Sequence, residues 1–89
     1  MSSKHSFVYL PHFKRDYKKL SLEVKEKVQK AILRMGEDLK YPGLRVKKIK
    51  GTDSIWEARA SQSVRLTFNL QGNTIILRTV GEHDILKRP

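Results

Sequence analysis

The residues best able to do chemistry in this chain lie near its C-terminal end. After a run of apolar residues, the sequence "GEHD" places His83 between Glu82 and Asp84. An imidazole accepts or donates a proton near neutral pH, so His83 is a candidate general acid or base. The alternative is a surface histidine that ends the last strand. His5 and His12 lie near the first strand and helix without partners in the pattern, and we interpret both as surface or structural residues.

Two arginines in the preceding strand-like runs would complement such a histidine. The run 64–70, "VRLTFNL", directs Arg65 to its polar face, where a guanidinium would brace a phosphate and its developing charge. The alternative is a cross-strand ion pair between Arg65 and Glu57, and the two interpretations are compatible. Arg59 is in phase with Glu57 and adds positive charge to the same face. Arg78, in the last strand, is either a further contributor or a structural residue.

A basic segment and one tryptophan are weaker candidates for ligand binding. Lys47, Lys48 and Lys50 of "KKIK" would contact phosphates without reading base sequence, although a solvated run of charge is equally compatible with this pattern. Trp56 could stack on a base, but a lone tryptophan in a strand is more often part of the core, which is the interpretation we favour. The "GEHD" segment offers no second histidine at useful spacing and the chain has no cofactor fingerprint, so we expect neither a metal nor a cofactor.

Charge is the strongest signal in the composition. The chain has 89 residues, with 19 Lys and Arg against 9 Asp and Glu, a formal net charge of +10. Residues 1–50 hold 14 of these cations and 5 of the acids, so the excess is concentrated there. Such an excess raises the local concentration of polyanions and favours nucleic acid or an acidic protein as partner.

Length and cysteine content limit the class of protein. We expect one domain, residues 1–89. The absence of cysteine excludes disulfides and thiolate metal sites and permits a reducing cytoplasm. The apolar stretch in residues 1–10 is too short for a signal peptide or a membrane span. We therefore expect a soluble, cytoplasmic protein that does not associate with a membrane.

The first half of the sequence predicts a strand and two helices. Residues 5–10 form a short apolar strand that Pro11 ends, and a proline is tolerated in the first turn of the helix that follows. Ser21 interrupts this helix and is a good N-cap for a second one, which "YPG" at 41–43 stops. The helices should pack as a hairpin, because apolar residues recur at helical spacing on one face of each: Phe13, Tyr17 and Leu20, then Val24, Val28, Ala31, Ile32, Met35 and Leu39.

The second half changes to the period of strands. Residues 44–50 alternate apolar and basic residues, which indicates a strand or an extended basic segment, and the runs 55–60, 64–70 and 74–80 are separated by short polar loops. The predicted fold is α+β, in the order β-α-α-β-β-β, with the sheet covering the helical hairpin on one face. In the run 64–70 the apolar residues Val64, Leu66, Phe68 and Leu70 should point inward, leaving a polar second face where function would lie.

Four segments together resemble the RelE/ParE superfamily of bacterial toxins. They are "FKRDYKKL" (13–20), "WEAR" (56–59), "VRLTF" (64–68) and "LRTVGEHD" (77–84). The resemblance covers nearly the whole chain. It implies an N-terminal strand and a helical hairpin packed on a mainly antiparallel C-terminal sheet. It also implies the toxin of a toxin–antitoxin pair, neutralised by a cognate antitoxin protein, and a metal-independent endoribonuclease that cuts mRNA on the ribosome and blocks translation.

The resemblance also implies roles for individual residues. His83 would be the general acid or base, and Arg65 would stabilise the transition state. Phosphates of the RNA would be held by Arg59, Lys48, Lys50, Lys87 and Arg78. Two positions depart from the family pattern: Lys87 stands where an aromatic residue is usual, and Val64 stands where tyrosine is usual.

Two other functions remain open on the sequence. Some members of this superfamily poison DNA gyrase and cut nothing, and the missing aromatic residue is compatible with that activity. The second alternative is a binding module that retains the fold and the antitoxin partner but catalyses no reaction. The sequence also leaves open whether an antitoxin would cover the helices or the basic face.

Overall fold

Five strands and two helices form the described part of the chain, residues 4–89 of a computed structural model. The strands are β1 (Ser6–Tyr9), β2 (Lys47–Lys48), β3 (Trp56–Arg59), β4 (Arg65–Gln71) and β5 (Thr74–Gly81), and the helices are α1 (Pro11–Lys18) and α2 (Leu22–Glu37). Short 3-10 helices span Pro42–Leu44 and His83–Lys87. The sheet order is β1-β5-β4-β3-β2, with β1 parallel to β5 and every other pair antiparallel. This is the α+β architecture that the sequence predicts.

We expect no signal peptide or membrane span in residues 1–10. The first three of these residues lie outside the described part of the chain. Within residues 4–89, neither helix combines the length and the apolar character needed to cross a bilayer.

The helices begin where the sequence predicts, but the second ends early. Pro11 occupies the first turn of α1, and the Ser21 hydroxyl accepts a hydrogen bond from the Val24 amide at 3.2 Å. Helix α2 ends at Glu37 rather than at "YPG". Asp38 adopts an extended conformation, and its carboxylate accepts a hydrogen bond from the Lys40 amide at 2.9 Å, which offers the backbone an alternative to the next helical turn.

The core lies between the helices and one face of the sheet. Phe13 of α1 and Val28 and Met35 of α2 are almost fully buried there against β4 and β5. Val64, Leu66 and Phe68 point inward as predicted. Leu70 was predicted to do the same, but 39% of its surface is exposed. It lies at the far end of β4, where it lines an open cleft with Trp56 and Tyr41 instead of packing under a helix.

The segment 44–50 forms only two residues of strand. Leu44 ends a 3-10 helix that starts at Pro42, and Arg45 has a left-handed backbone with φ of 46°. This turn leaves only Lys47 and Lys48 in register with β3. The second half therefore adds a short edge strand to the predicted meander.

The second face of the sheet is polar, as predicted, but it is partly covered. Thr67 and Thr79 are paired across β4 and β5, hydrogen-bonded through their hydroxyls, and almost fully buried. The C-terminal segment passes over them, because the backbone oxygen of Pro89 accepts hydrogen bonds from the Thr67 hydroxyl at 3.2 Å and from Arg78 Nε at 3.0 Å. The open part of this face is therefore the end at which β3 finishes and β4 begins.

Candidate functional site

A cavity of about 220 Å³ lies at the open end of the polar face. Strand pairing explains its composition: Arg59 is opposite Arg65, and Arg65 is in turn opposite Gly81, two residues before His83. Residues opposite each other in an antiparallel pair share one face of the sheet. The lining residues are Arg45, Lys47, Glu57, Arg59, Arg65 and His83.

His83 reaches the cavity because the chain turns sharply after β5. It begins the C-terminal 3-10 helix, which is closed by hydrogen bonds from the Ile85 amide to the Glu82 carbonyl and from the Arg88 amide to the Ile85 carbonyl, both 3.1 Å. The short helix gives His83 a fixed backbone. Its imidazole is exposed, and no residue in 4–89 forms a hydrogen bond with it. The ring is therefore available to a ligand.

Arg65 forms the cross-strand ion pair that the sequence suggests, and it also holds a loop. Its side chain is buried, and Nη1 donates hydrogen bonds to the carbonyls of Ser61 and Gln62, each at 3.0 Å, so it holds the β3–β4 loop. Its Nε lies 4.0 Å from a carboxylate oxygen of Glu57, which is the predicted cross-strand ion pair. Burial, followed by the charge of Arg59, lowers the pKa of Arg65.

Arg59 differs from Arg65 in its hydrogen bonding. Its Nε is buried, and none of the described residues accepts a hydrogen bond from that atom. A buried donor without an acceptor costs about 1–3 kcal/mol. Arg59 also lines the cavity, which keeps it a candidate for phosphate binding.

The cavity carries an excess of positive charge around one carboxylate. Its lining contains four permanent cations, of which only Arg45 is absent from the residues predicted to bind a ligand, against the single carboxylate of Glu57. Alternation along 44–50 could have identified Arg45, since it places Arg45 and Lys47 on the face opposite Val46 and Lys48. Register confirms this for Lys47, which pairs with Glu57. A cavity of this charge suits a phosphate.

Four predicted phosphate-binding residues lie outside this cavity. Lys48 pairs with Trp56 and its Nζ lies 5.5 Å from the indole centroid, while Lys50 is exposed in the turn after β2. Lys87 lines a different cavity, with His12 and Asp16. The fourth is Arg78, whose Nε donates a hydrogen bond to the Pro89 backbone oxygen and whose Nη1 donates one to Asn69 Oδ1 at 2.7 Å. These contacts match the interpretation of Arg78 as a structural residue.

Two other sequence interpretations can be compared with the structure. Trp56 is half-buried and packs against the core cluster, as favoured from the sequence. Among residues 4–89, no group of three or more His, Asp or Glu side chains is arranged to hold a metal ion.

Solved structures share this fold at low sequence identity. No protein-family model and no curated protein matches the sequence. The RelB–RelE antitoxin–toxin complex from Methanococcus jannaschii superposes with a TM-score of 0.74 at 22% identity, covering 91% of this chain and 95% of that one. YafQ from E. coli gives 0.77 at 15% identity, covering 92% and 97%.

The Mycobacterium tuberculosis RelBE2 toxin–antitoxin complex gives a TM-score of 0.77 at 14% identity, covering 91% of this chain and 93% of that one. The agreement extends over nearly the full length of each pair of chains. This chain therefore has the fold of the RelE-like toxins.

Proposed function

We propose that this protein is the toxin of a toxin–antitoxin pair and that it cleaves mRNA on the ribosome. The observation that supports this most directly is the cavity that joins His83, Glu57 and two arginines on a RelE-like fold. RNA cleavage by its own 2′-hydroxyl needs a base, an acid and positive charge at the phosphate. The cavity contains one residue or more suited to each role.

The proposed reaction assigns a role to each of these groups. The Glu57 carboxylate accepts the proton of the 2′-hydroxyl as that oxygen attacks phosphorus, and His83 in its protonated form donates a proton to the 5′-oxygen as its bond to phosphorus breaks. The products are a 2′,3′-cyclic phosphate and a 5′-hydroxyl. Arg59 and Arg65 stabilise the charge that develops on the phosphoryl oxygens.

The proposed partner is a cognate antitoxin that binds the toxin and neutralises it. Several solved structures with this fold are complexes of a toxin with its antitoxin, including those from M. jannaschii and M. tuberculosis. A net charge of +10 favours an acidic segment in that partner. The site of action would be the cytoplasm, where mRNA is translated.

The proposal is tested by inducing the protein in bacterial cells and mapping mRNA 5′ ends. Wild type should produce new ends at a fixed position within translated codons. His83→Ala should reduce the amount of this cleavage at least about 100-fold, because proton transfer by a positioned side chain contributes about 10²–10⁴-fold to the rate. The matched control is His12→Ala, which removes an exposed histidine of α1 that does not line the cavity. This control should cut like wild type.

Each alternative function has its own outcome in this experiment. Growth arrest without new mRNA ends would replace the proposal with gyrase inhibition, which a supercoiling assay with purified gyrase would measure directly. Neither arrest nor cleavage would indicate a binding module without turnover. Cleavage that survives His83→Ala would retain the function and overturn the role given to His83.

A further inference from the structure

A second cavity, of about 280 Å³, adjoins the candidate active cavity. Arg59 lines both, so the two lie next to each other at the end of β3. The other charged residues that line the second cavity are Lys27, Lys30 and Arg34, and no acidic side chain lines it. Its wall on the sheet side is formed by the end of β3 and the start of the β3–β4 loop.

The three cations of α2 share one face of the helix. Lys27, Lys30 and Arg34 are three and four residues apart, so their side chains project together, while Val28 and Met35 face the core. Like charges at this spacing repel each other. The only ion pair among them that the described residues form joins Lys27 to Glu23 at 3.7 Å, and both side chains are at least half exposed, so the pair contributes little.

The Arg34 side chain is ordered in a way that suits anion binding. Its guanidinium stacks over the Tyr41 ring, 4.6 Å from the ring centroid, which orders a side chain that would otherwise sample many rotamers. A guanidinium donates charge-assisted hydrogen bonds to phosphate oxygens, so Arg34 supplies an ordered donor for a phosphate.

We propose that this second cavity is a phosphate subsite, which holds the phosphodiester next to the scissile one in the same RNA strand. The proposal rests on the proposed function in taking RNA as the ligand of the first cavity. Two neighbouring cationic cavities that share Arg59 as a lining residue match a strand that carries one charge per nucleotide. The subsite would set which phosphate enters the active cavity, and it would contribute affinity without reading a base.

The test measures binding rather than cleavage, so that it does not depend on turnover. A single-stranded RNA hexanucleotide with 2′-O-methyl groups, which cannot be cleaved, is titrated by fluorescence anisotropy at several salt concentrations. The variant is Lys27→Gln/Lys30→Gln. The matched control is Lys14→Gln/Lys18→Gln, which removes the same charge from α1, where both lysines line a different cavity.

The α2 variant should bind about 5–10-fold more weakly. Its slope of log affinity against log salt should be shallower by about 0.7, the value for one lost phosphate contact on a single strand. The control should retain the wild-type slope. Replacing single phosphates of the RNA by uncharged methylphosphonates should identify one position that weakens wild type and leaves the α2 variant unaffected.

Three results would overturn the subsite. One is an equal loss of affinity in the α1 control, which would show general attraction only. Another is a variant that remains sensitive at every methylphosphonate position, which would indicate that the α2 lysines contact a different polyanion, such as ribosomal RNA. The last is a failure of the wild-type protein to bind the RNA at about 50 mM salt.

Failure of the proposed function would give a different result. The RNA would bind with the expected differences between wild type, α2 variant and control, while no mRNA was cut in cells.

Discussion

At the scale of single residues, Arg59 and Arg65 lie opposite each other on β3 and β4 but have different roles. Arg65 is buried and donates two hydrogen bonds of 3.0 Å to loop carbonyls, so any change to it alters the fold as well as the site. Arg59 has no acceptor for its buried Nε among the described residues. Loss of activity after Arg65→Ala would therefore not by itself establish a catalytic role, whereas a change at Arg59 separates ligand binding from stability.

We predict opposite effects of the two arginines on stability. Arg65→Ala should lower the free energy of unfolding by about 2 kcal/mol, since it removes charged hydrogen bonds to the loop. Arg59→Met, which retains an apolar stem and removes the buried donor without an acceptor, should raise it by about 1–3 kcal/mol and still reduce cleavage at least 10-fold. Urea unfolding and ribosome-programmed cleavage measure the two quantities. A destabilised but active Arg59→Met would contradict the assignment.

At the scale of elements, the junction between β5 and the C-terminal 3-10 helix positions His83. Gly81 ends β5 opposite Arg65, and a Cβ at this position would lie 2.7 Å from Ile85 Cγ2. That methyl group is attached directly to the Ile85 Cβ, so it moves only if the side chain changes rotamer or the backbone shifts. The close approach at Gly81 lets Ile85 pack down, and the same turn directs His83 into the cavity.

We predict that Gly81→Ala reduces cleavage about 10-fold or more, because displacement of a catalytic group by about 1 Å can cost as much as 100-fold. The double variant Gly81→Ala/Ile85→Ala should cut like Ile85→Ala alone, since the clash is then absent. Cleavage assays on the three variants form a double-mutant cycle. Additive effects would show that Gly81 acts through some other contact.

At the scale of the whole molecule, the core and the candidate active cavity lie on opposite faces of one sheet. The helices cover the apolar face, and the candidate cavity lies on the polar one. A chain of 89 residues has only about 4–13 kcal/mol of stability in total, so few core contacts can be lost. The separation of faces allows the basic site to change without altering the core.

We predict that Met35→Ala lowers the free energy of unfolding by about 2–5 kcal/mol, because Met35 is fully buried between α2 and the sheet and the change leaves a cavity. Leu33→Ala on the same helix is the matched control, since 69% of Leu33 is exposed, and it should change stability by less than about 0.5 kcal/mol. Urea unfolding measures both. Similar losses for the two would contradict the placement of the core on one face of α2.

Periodicity along the chain was enough to predict the elements and the face that each buries. The helical spacing of Phe13, Val28 and Met35 and the alternation of Leu66 and Phe68 depend on neighbours a few residues away, and all five are buried in the core. The cap at Ser21 is equally local. The predicted boundary was wrong where a local competitor was overlooked. The Asp38 carboxylate competes for the backbone there, and α2 ends at Glu37, five residues before Pro42.

The sequence by itself determined the fold class, the positive charge, and His83 and Arg65 as candidates. Only the tertiary structure decided which cations accompany them. Strand register brings Lys47 into the cavity and turns Lys48 toward Trp56, although the two are adjacent in the sequence. Residues distant in the chain likewise decide that Arg78 forms hydrogen bonds with Pro89 and Asn69. They also decide that the buried Nε of Arg59 has no acceptor among the described residues. A shift of one residue in register reverses every side chain of a strand, so composition and spacing cannot specify such a site.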